Sequence, residues 1–523
     1  MYNHRFTQAC TEISQNLLSI HSPTKGQVKS QIKKVCTKYS LERIPRNSEI
    51  LSTVSGQDYA KLQRILLKKP IKTASGVAVI ALMPMPYACP HGRCTYCPGG
   101  IEFNSPNSYT GNEPSTINAI ENNYDAKKQI MTKIEKLVSY GHDPAKMELV
   151  IVGGTFLFMP QQYQRNFIKS CYDALNGFDS DTLEEAKTAN ETAKIRNVGF
   201  TIETKPDYCK KEHVDMMLEY GVTRVEIGVQ SLQEKIYKIV NRGHTYSDVT
   251  ESFQVSKDSG YKIVAHMMPG LPTVSPEDDI ADFKKLFEDK DLKPDMLKIY
   301  PSLVLQNTPL YEQFLQGKYK PYSDDQMIRV LSEVKKMVPR WVRIMRVQRE
   351  ISSSEIVAGP RSGNLRQIVH QNLRKQGASC RCIRCREVGL LSGPQKELKI
   401  NRIDYISSGG DEVFLSYDDS DDKIYGFLRL RNVCNPHRNE IPKRSCIVRE
   451  LHVYGRSLKI GEHEDGQVQH SGLGRNLMSE AEKISKEEFD AKKILVISAV
   501  GTREYYRKMG YHMDGPYMAK LLV

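Results

Sequence analysis

Long hydrophobic runs are missing from this 523-residue chain. A membrane span needs roughly 18 consecutive apolar residues, and the best run, VAVIALM from Val77 to Met83, is strand-sized. The amino-terminal MYNHRFTQAC has no charged-then-apolar export pattern, so a cytoplasmic protein without membrane association is expected. Internal repeats and low-complexity tracts are also missing, which excludes solenoid architectures. Acidic residues are in deficit: 62 Asp and Glu face 75 Lys and Arg, a net charge of +13. That balance points to a polyanionic partner, nucleic acid above all, because phosphates reward clustered cations through counterion release. The excess is uneven, with thirteen Lys or Arg against four Asp or Glu between Met1 and Lys72. Cysteine is not scarce. Twelve are present, too many to ignore and wrongly placed for a disulfide framework in a cytosolic protein. Cys10, Cys36, Cys171, Cys209, Cys434 and Cys446 are scattered, whereas Cys89, Cys94, Cys97 and Cys380, Cys382, Cys385 form two tight groups, and spacings that close mean metal.

At this length two or three domains are required. Residues 1–72 read as a basic helical region. From about Gly76 short apolar runs alternate with helix-length segments: residues 77–86, 147–156, 198–204, 224–230, 262–270, 296–302 and 341–347. Such alternation implies βαβ units and a parallel sheet, here a full or partial α/β barrel spanning 73–360, with chemistry at the C-terminal strand ends. Residues 361–394 form a basic, cysteine-containing junction. After it, KINRIDYISS, DEVFLSYD, IYGFLRLRN and CIVRELHVYG precede a glycine-rich turn and KILVISAV, which suggests an α+β domain over 395–523. DDSDD (418–422) reads as a hairpin loop.

The first cysteine group, in CPHGRCTYCPGG, has the spacing C-x4-C-x2-C directly after a strand. Three sites compete: zinc with His91 as a further ligand, a 2Fe–2S centre completed by Cys171 or Cys209, or a 4Fe–4S cluster with one iron left open. Position favours the third, since three thiolates at the first strand-to-helix loop of an α/β barrel is the arrangement of radical S-adenosylmethionine enzymes. Four residues separate the first two cysteines where that superfamily usually has three. Gly153 and Gly154 in GGTF suit close approach of a cofactor to backbone. Glu203, Gln230, Ser231 and His266 are further polar groups at strand ends, each of which could equally be structural.

Gln469-x-x-Gly472-x-Gly474 ahead of a helix near Arg475 is the Q-x-x-G-x-G pattern of Gcn5-related acetyltransferases, whose turn amides and helix N-terminus bind the pyrophosphate of coenzyme A. ELHVYG (450–455) supplies a strand ahead of the turn. GTREYYRKMGY (501–511) supplies Tyr505 or Tyr506 near a thioester, or else a packed aromatic core.

Together CTYCPGG, SYTGNEPST (108–116), GGTF, TIETKPDYC (201–209), VEIGVQS, NRGHT (241–245), HMMPGLP (266–272), LKIYPSLV (297–304), CREVG (385–389), VRELHVYG and GTREYYRKMGY resemble the family of the Elongator catalytic subunit, tRNA carboxymethyluridine synthases, in single-chain archaeal or bacterial form. The resemblance covers about 75 to 523. It implies a radical S-adenosylmethionine partial barrel followed by an acetyltransferase-type α+β domain. It implies a 4Fe–4S cluster on Cys89, Cys94 and Cys97 that generates a 5′-deoxyadenosyl radical, abstraction of hydrogen from the acetyl methyl of acetyl-CoA, and addition of that carbon to carbon-5 of the wobble uridine. Thioester hydrolysis then leaves a carboxymethyl group. Carried-over acetyl-CoA contacts are Lys146, Glu450, Leu451, His452, Val453, Leu473, Gly474, Arg475 and Tyr506. Cys380, Cys382 and Cys385 resemble an inter-domain zinc site whose fourth ligand could be His370, Cys434, Cys446 or His437. An electron donor and tRNA are implied partners, and a homodimer is left open. The competing reading is a protein lysine acetyltransferase with a structural metal cluster; a non-catalytic RNA-binding scaffold is the third.

Overall fold

The computed structural model describes residues 2–67, 76–389, 397–454 and 472–522. Four helices open the chain: α1 (Tyr2–Leu18), α2 (Lys25–Lys38), α3 (Asn47–Leu51) and α4 (Gly56–Leu66). Ala9, Ile13 and Leu17, at helical spacing on α1, bury against Val35, Ile50, Leu51, Leu62 and Leu66. Thr24 and Gln27 cap α2 reciprocally. With the apolar stripe inside, Lys25, Lys29, Lys33, Lys34 and Lys38 face solvent. Gln63 Nε2 donates to the Gly141 carbonyl at 3.0 Å, joining this bundle to the next unit.

That unit is one parallel sheet of β1 (Ala78–Leu82), β2 (Lys146–Ile151), β3 (Arg196–Thr204), β4 (Arg224–Gln230), β5 (Lys262–Met267) and β6 (Met296–Ile299). Next come β7 (Val304–Leu305), outside the sheet, β8 (Arg343–Arg346), which completes it, and β9 (Ile356–Ala358), the antiparallel partner of β7. The order β1-β2-β3-β4-β5-β6-β8 has no pairing of its two edges among the described residues. It is therefore a half-barrel, open on one side. Near-continuous apolar strands such as β5 are buried on both faces, as helix-covered parallel strands must be.

The C-terminal sheet is mixed: β10 (Lys399–Ser407), β11 (Gly410–Asp418), β12 (Ile424–Asn432), β13 (Ser445–Val453), β14 (Lys493–Val496), β15 (His512–Asp514) and β16 (Tyr517–Leu521). β10 to β13 run antiparallel, and β13 pairs parallel with β14 across the helix Leu473–Glu487. DDSDD sits at the β11–β12 hairpin. Pairing between β13 and β14 stops at Val448 with Val496, while β13 continues to Val453. Beyond Val448 β13 has no pairing with β14 among the described residues.

The half-barrel and this sheet are locked by buried ion pairs. Arg431 reaches Asp258 at 2.7 Å and Glu412 at 2.9 Å, and Arg449 reaches Asp295 and Glu412, both at 2.7 Å. These side chains are 0% exposed, which is tolerable only because every charge has a partner. Tyr517 adds an O–H donated to the Ser259 carbonyl at 3.0 Å.

Candidate active site between the cysteine loop and the C-terminal sheet

The loop after β1 carries Cys89, Cys94 and Cys97, the latter two buried. The Thr95 amide donates to the Val240 carbonyl at 3.1 Å and the Leu310 amide to the Thr95 carbonyl at 2.8 Å, pinning the loop between two others. Cys97 Sγ accepts the Ser108 amide at 3.2 Å, and Arg242 lies 3.8 Å from Cys94 Sγ. Lys205 Nζ donates to His91 Nδ1 at 3.0 Å, so the ring hydrogen is on Nε2, 3.1 Å from Cys94 Sγ. Burial, with Lys205 and Arg242 nearby, pushes the His91 pKa down to about 3, so the ring is a neutral donor toward the sulfur. Burial and the other two thiols push Cys89 up to about 11; Arg242 and Lys205 oppose this. Such a group of thiols ionises when a cation binds among them.

The three sulfurs are not all within 4.8 Å of one another, unlike those of Cys380, Cys382 and Cys385. A single tetrahedral ion with metal–sulfur bonds of about 2.3 Å needs the tighter spacing. A cluster that offers each thiolate a different iron needs the wider one. The donor set therefore fits an iron–sulfur cluster better than zinc with His91. Beside it, Gln230 Oε1, Tyr96 Oη, Arg242 Nε and both His244 nitrogens are buried without partners among the described residues. Buried polar atoms of this kind are normally paired, and here they fit a polar ligand at the cluster's open side.

Gly153 and Gly154 follow β2 at φ +111° and +109°, values only glycine adopts readily. A Cβ at either would stand 3.1 Å from Pro106 or 3.0 Å from Asn107. Their small size thus serves the cysteine loop's own packing as well as any ligand. Ser231 is tied to Asp282 at 2.9 Å and lies outside the cavity. Glu203 and His266 do face it. His266 is held between Glu226 at 2.9 Å and Glu203 at 3.4 Å, and Glu226 also pairs with Lys298. Despite burial, Lys298 and His266 keep the Glu226 carboxyl well below the usual carboxylate range.

These residues line a cavity of about 1050 Å³ that runs through the half-barrel to β13. Ser108, Glu203 and His266 stand at one end, Arg343 in its wall, and Glu450 and His452 at the other. At the C-terminal domain, Gly472 takes φ +80° and opens the helix Leu473–Glu487, whose first turn holds no acidic residue. Its free amides form an anion site by the ordinary logic of helix N-termini. A Cβ on Gly474 would meet Tyr505 Oη at 2.7 Å and Val453 Cγ2 at 3.6 Å, so turn, β13 and Tyr505 converge. Arg475 is exposed at the helix start. Leu451 and Val453 are partly buried, Tyr505 is exposed, and Tyr506 is packed in the domain core. Gln469 lies outside the described residues. Lys146 opens β2 in register with Arg196, against which Gly501 packs, so it belongs to the face of the half-barrel nearest the turn before Tyr505.

In the junction, Cys382 and Cys385 sulfurs are 3.6 Å apart, with His370 Nε2 3.7 Å from Cys385. Of the four further ligands considered, His370 is the one placed there. Cys434 contacts Asp258, His437 contacts Asp215, and Cys446 is buried in the C-terminal core. The Ile383 amide donates to Val342 beside β8 and the Val388 amide to Ile424 of β12, so the group bridges the two domains.

A seven-stranded parallel half-barrel with a cysteine trio on its first loop, followed by a mixed-sheet domain, defines a radical S-adenosylmethionine protein with an added C-terminal domain. Residues 83–286 match the radical SAM superfamily, 294–375 the Radical_SAM C-terminal domain and 6–74 the ELP3 N-terminal domain. The chain is 46% identical to the tRNA uridine(34) acetyltransferase of Methanocaldococcus jannaschii, over 94% of its own length and 93% of that relative's. It is 43% identical to Elongator complex protein 3 of Saccharomyces cerevisiae, over 99% and 96% respectively. The solved structure of Methanocaldococcus infernus Elp3 with an N-terminal deletion superimposes with TM-score 0.76 at 44% identity, covering 86% of this chain and 100% of that one. The chain belongs to the Elongator complex protein 3 family. Lys205 and Arg242 were not singled out from sequence, although TIETKPDYC and NRGHT contain them, and His91 was considered there only as a zinc ligand.

Proposed function

We propose that this protein modifies the wobble uridine of tRNA at carbon-5 to 5-carboxymethyluridine, using a 4Fe–4S cluster, S-adenosylmethionine and acetyl-CoA. The observation that carries this reading is the single cavity with the cysteine loop's neighbours at one end and β13 at the other. Relatives named for tRNA uridine(34) acetylation support the substrate. When bound, the reduced cluster with S-adenosylmethionine supplies a radical able to take a hydrogen atom from the acetyl methyl group. Cys89, Cys94 and Cys97 would hold the cluster, with His91 and Arg242 donating toward Cys94 to offset its negative charge. Gln230, Glu203, His266, Gly153 and Gly154 surround the space for the second cofactor.

For acetyl-CoA, Gly472, Leu473, Gly474 and Arg475 would take the phosphates, and the β13 segment Glu450–Val453 would lie along the pantetheine arm. Lys146 and the Tyr505–Tyr506 pair bound the same region. Junction zinc on Cys380, Cys382 and Cys385 would fix the two domains, and the exposed lysines of α2 would bind tRNA phosphates. An electron donor is required. The test uses acetyl-CoA with a deuterated methyl group, S-adenosylmethionine, reductant and tRNA. Deuterium is expected in 5′-deoxyadenosine and both acetyl carbons on the uridine. An intact trideuterated acetyl group moved to a lysine amine would overturn the reading.

A further inference from the structure

The geometry points to His452 as the base that activates water for cleavage of the thioester. The inference rests on the acetyl-CoA reading above and adds to it a residue with a chemical role. The alternation of β13 puts Glu450 and His452 on one face, opposite Arg429 and Phe427, and both line the cavity. The next residue, Val453, touches the position of Gly474, and the alternation of the strand turns the His452 imidazole to the other side, into the cavity.

The ring is held without hydrogen bonds. It stacks on Phe427 at 5.7 Å between centroids and leans on Tyr454 at 4.4 Å, and among the described residues these ring contacts are its only ones. Every other base in the cavity wall is engaged. Glu113 accepts the Thr110 and Gly111 amides. Glu148 pairs with Arg224, Glu226 with Lys298, Glu350 with Arg346, Glu387 with Arg343 and Glu450 with Arg429. His266 occupies Glu203 and is spent at both nitrogens. Among the described residues, one imidazole is therefore left with lone pair and N–H available for water.

Its surroundings suit a base. Burial holds its pKa below the ordinary histidine value. Glu450 on the same strand, Glu387 of the junction and Glu148 on β2 push it up, and Arg343 on β8 pushes it down. The ring is thus neutral at physiological pH, and the nearby Glu450 carboxylate stabilises the cation formed when it takes a proton. In the step itself, the water oxygen bonds to the thioester carbonyl carbon as its proton passes to the imidazole. The carbon–sulfur bond then breaks, and the departing coenzyme A thiolate takes that proton back. The acid ionises to carboxylate, releasing one proton. One water is consumed and no electrons are exchanged.

The test measures free thiol released from acetyl-CoA by the full-length holoprotein with tRNA and without S-adenosylmethionine, alongside calorimetric binding of acetonyl-CoA, which cannot be hydrolysed. His452→Gln should lose about 100-fold or more in thiol release, the usual scale for general base catalysis, a loss far larger than any change in acetonyl-CoA affinity. Wild-type release should fall on acidification, with a midpoint below the ordinary histidine value of about 6.5, as the base protonates, and His452→Ala should be rescued by added imidazole. Thiol release by His452→Gln within twofold of wild type, or a flat wild-type pH profile, overturns the inference and leaves acetyl-CoA binding standing. Absence of thiol release by wild type overturns it as well. Failure of wild type to bind acetonyl-CoA overturns both. If His452→Gln binds poorly, the pH limb and imidazole rescue decide.

Discussion

The two cysteine trios present the same three thiols in different surroundings. Cys380, Cys382 and Cys385 draw their sulfurs within 4.8 Å, share hydrogen bonds among themselves, and have His370 at hand. Cys89, Cys94 and Cys97 stand wider apart, ringed by His91, Lys205 and Arg242 and by buried polar atoms lacking partners. A closed tetrahedral ion needs the first arrangement, and an open multi-iron site the second. Thiol count does not separate them. What surrounds the thiols does.

The sharpest way to break this comparison is Cys94→Ala. It should abolish iron-dependent colour and all modified uridine while leaving zinc content and folding intact. Metal analysis and nucleoside mass spectrometry check it, and loss of zinc in this variant would mean that the trios are not independent. Next in size is the connection between the domains that carry them. Arg449→Ala removes the 2.7 Å partner of buried Asp295 and leaves Glu412 with Arg431 alone, and should cost about 3–5 kcal/mol in denaturant unfolding. A cost below about 1 kcal/mol would show that these groups are solvated in solution. The mildest is the double change Cys382→Ser, Cys385→Ser. It should remove about one zinc per chain and lower the unfolding midpoint by several degrees, with iron retained. Unchanged zinc content would reject the junction site.

Much of this was legible in one dimension. The seven apolar runs became the seven strands of the half-barrel because continuous apolarity is what a strand covered on both faces requires. Both trios were found by spacing, since close thiols along the chain are close in space. Glu203 and His266 were placed at strand ends and do face the cavity, whereas Ser231, equally polar and adjacent to Gln230, turns away to Asp282. A strand end names a neighbourhood, and the direction of the next side chain depends on local backbone such as the φ of +71° at Gln230.

Arg429, Arg431 and Arg449 mark the other limit. No role was assigned from sequence to the arginines in FLRLRN and VRELHV. In the fold they are fully buried, because the half-barrel covers that face and supplies Asp258 and Asp295. The sequence by itself determined the strands, the helical basic amino terminus and the two thiol groups, because periodicity and spacing are properties of neighbours along the chain. Only the tertiary structure decided that His370 stands by the second trio, that one cavity takes in Ser108, Glu203, His266 and β13, and that His452 faces it without a hydrogen-bond partner among the described residues. Each of these depends on residues distant in the chain meeting across a domain interface, and local sequence does not encode which face another domain will cover.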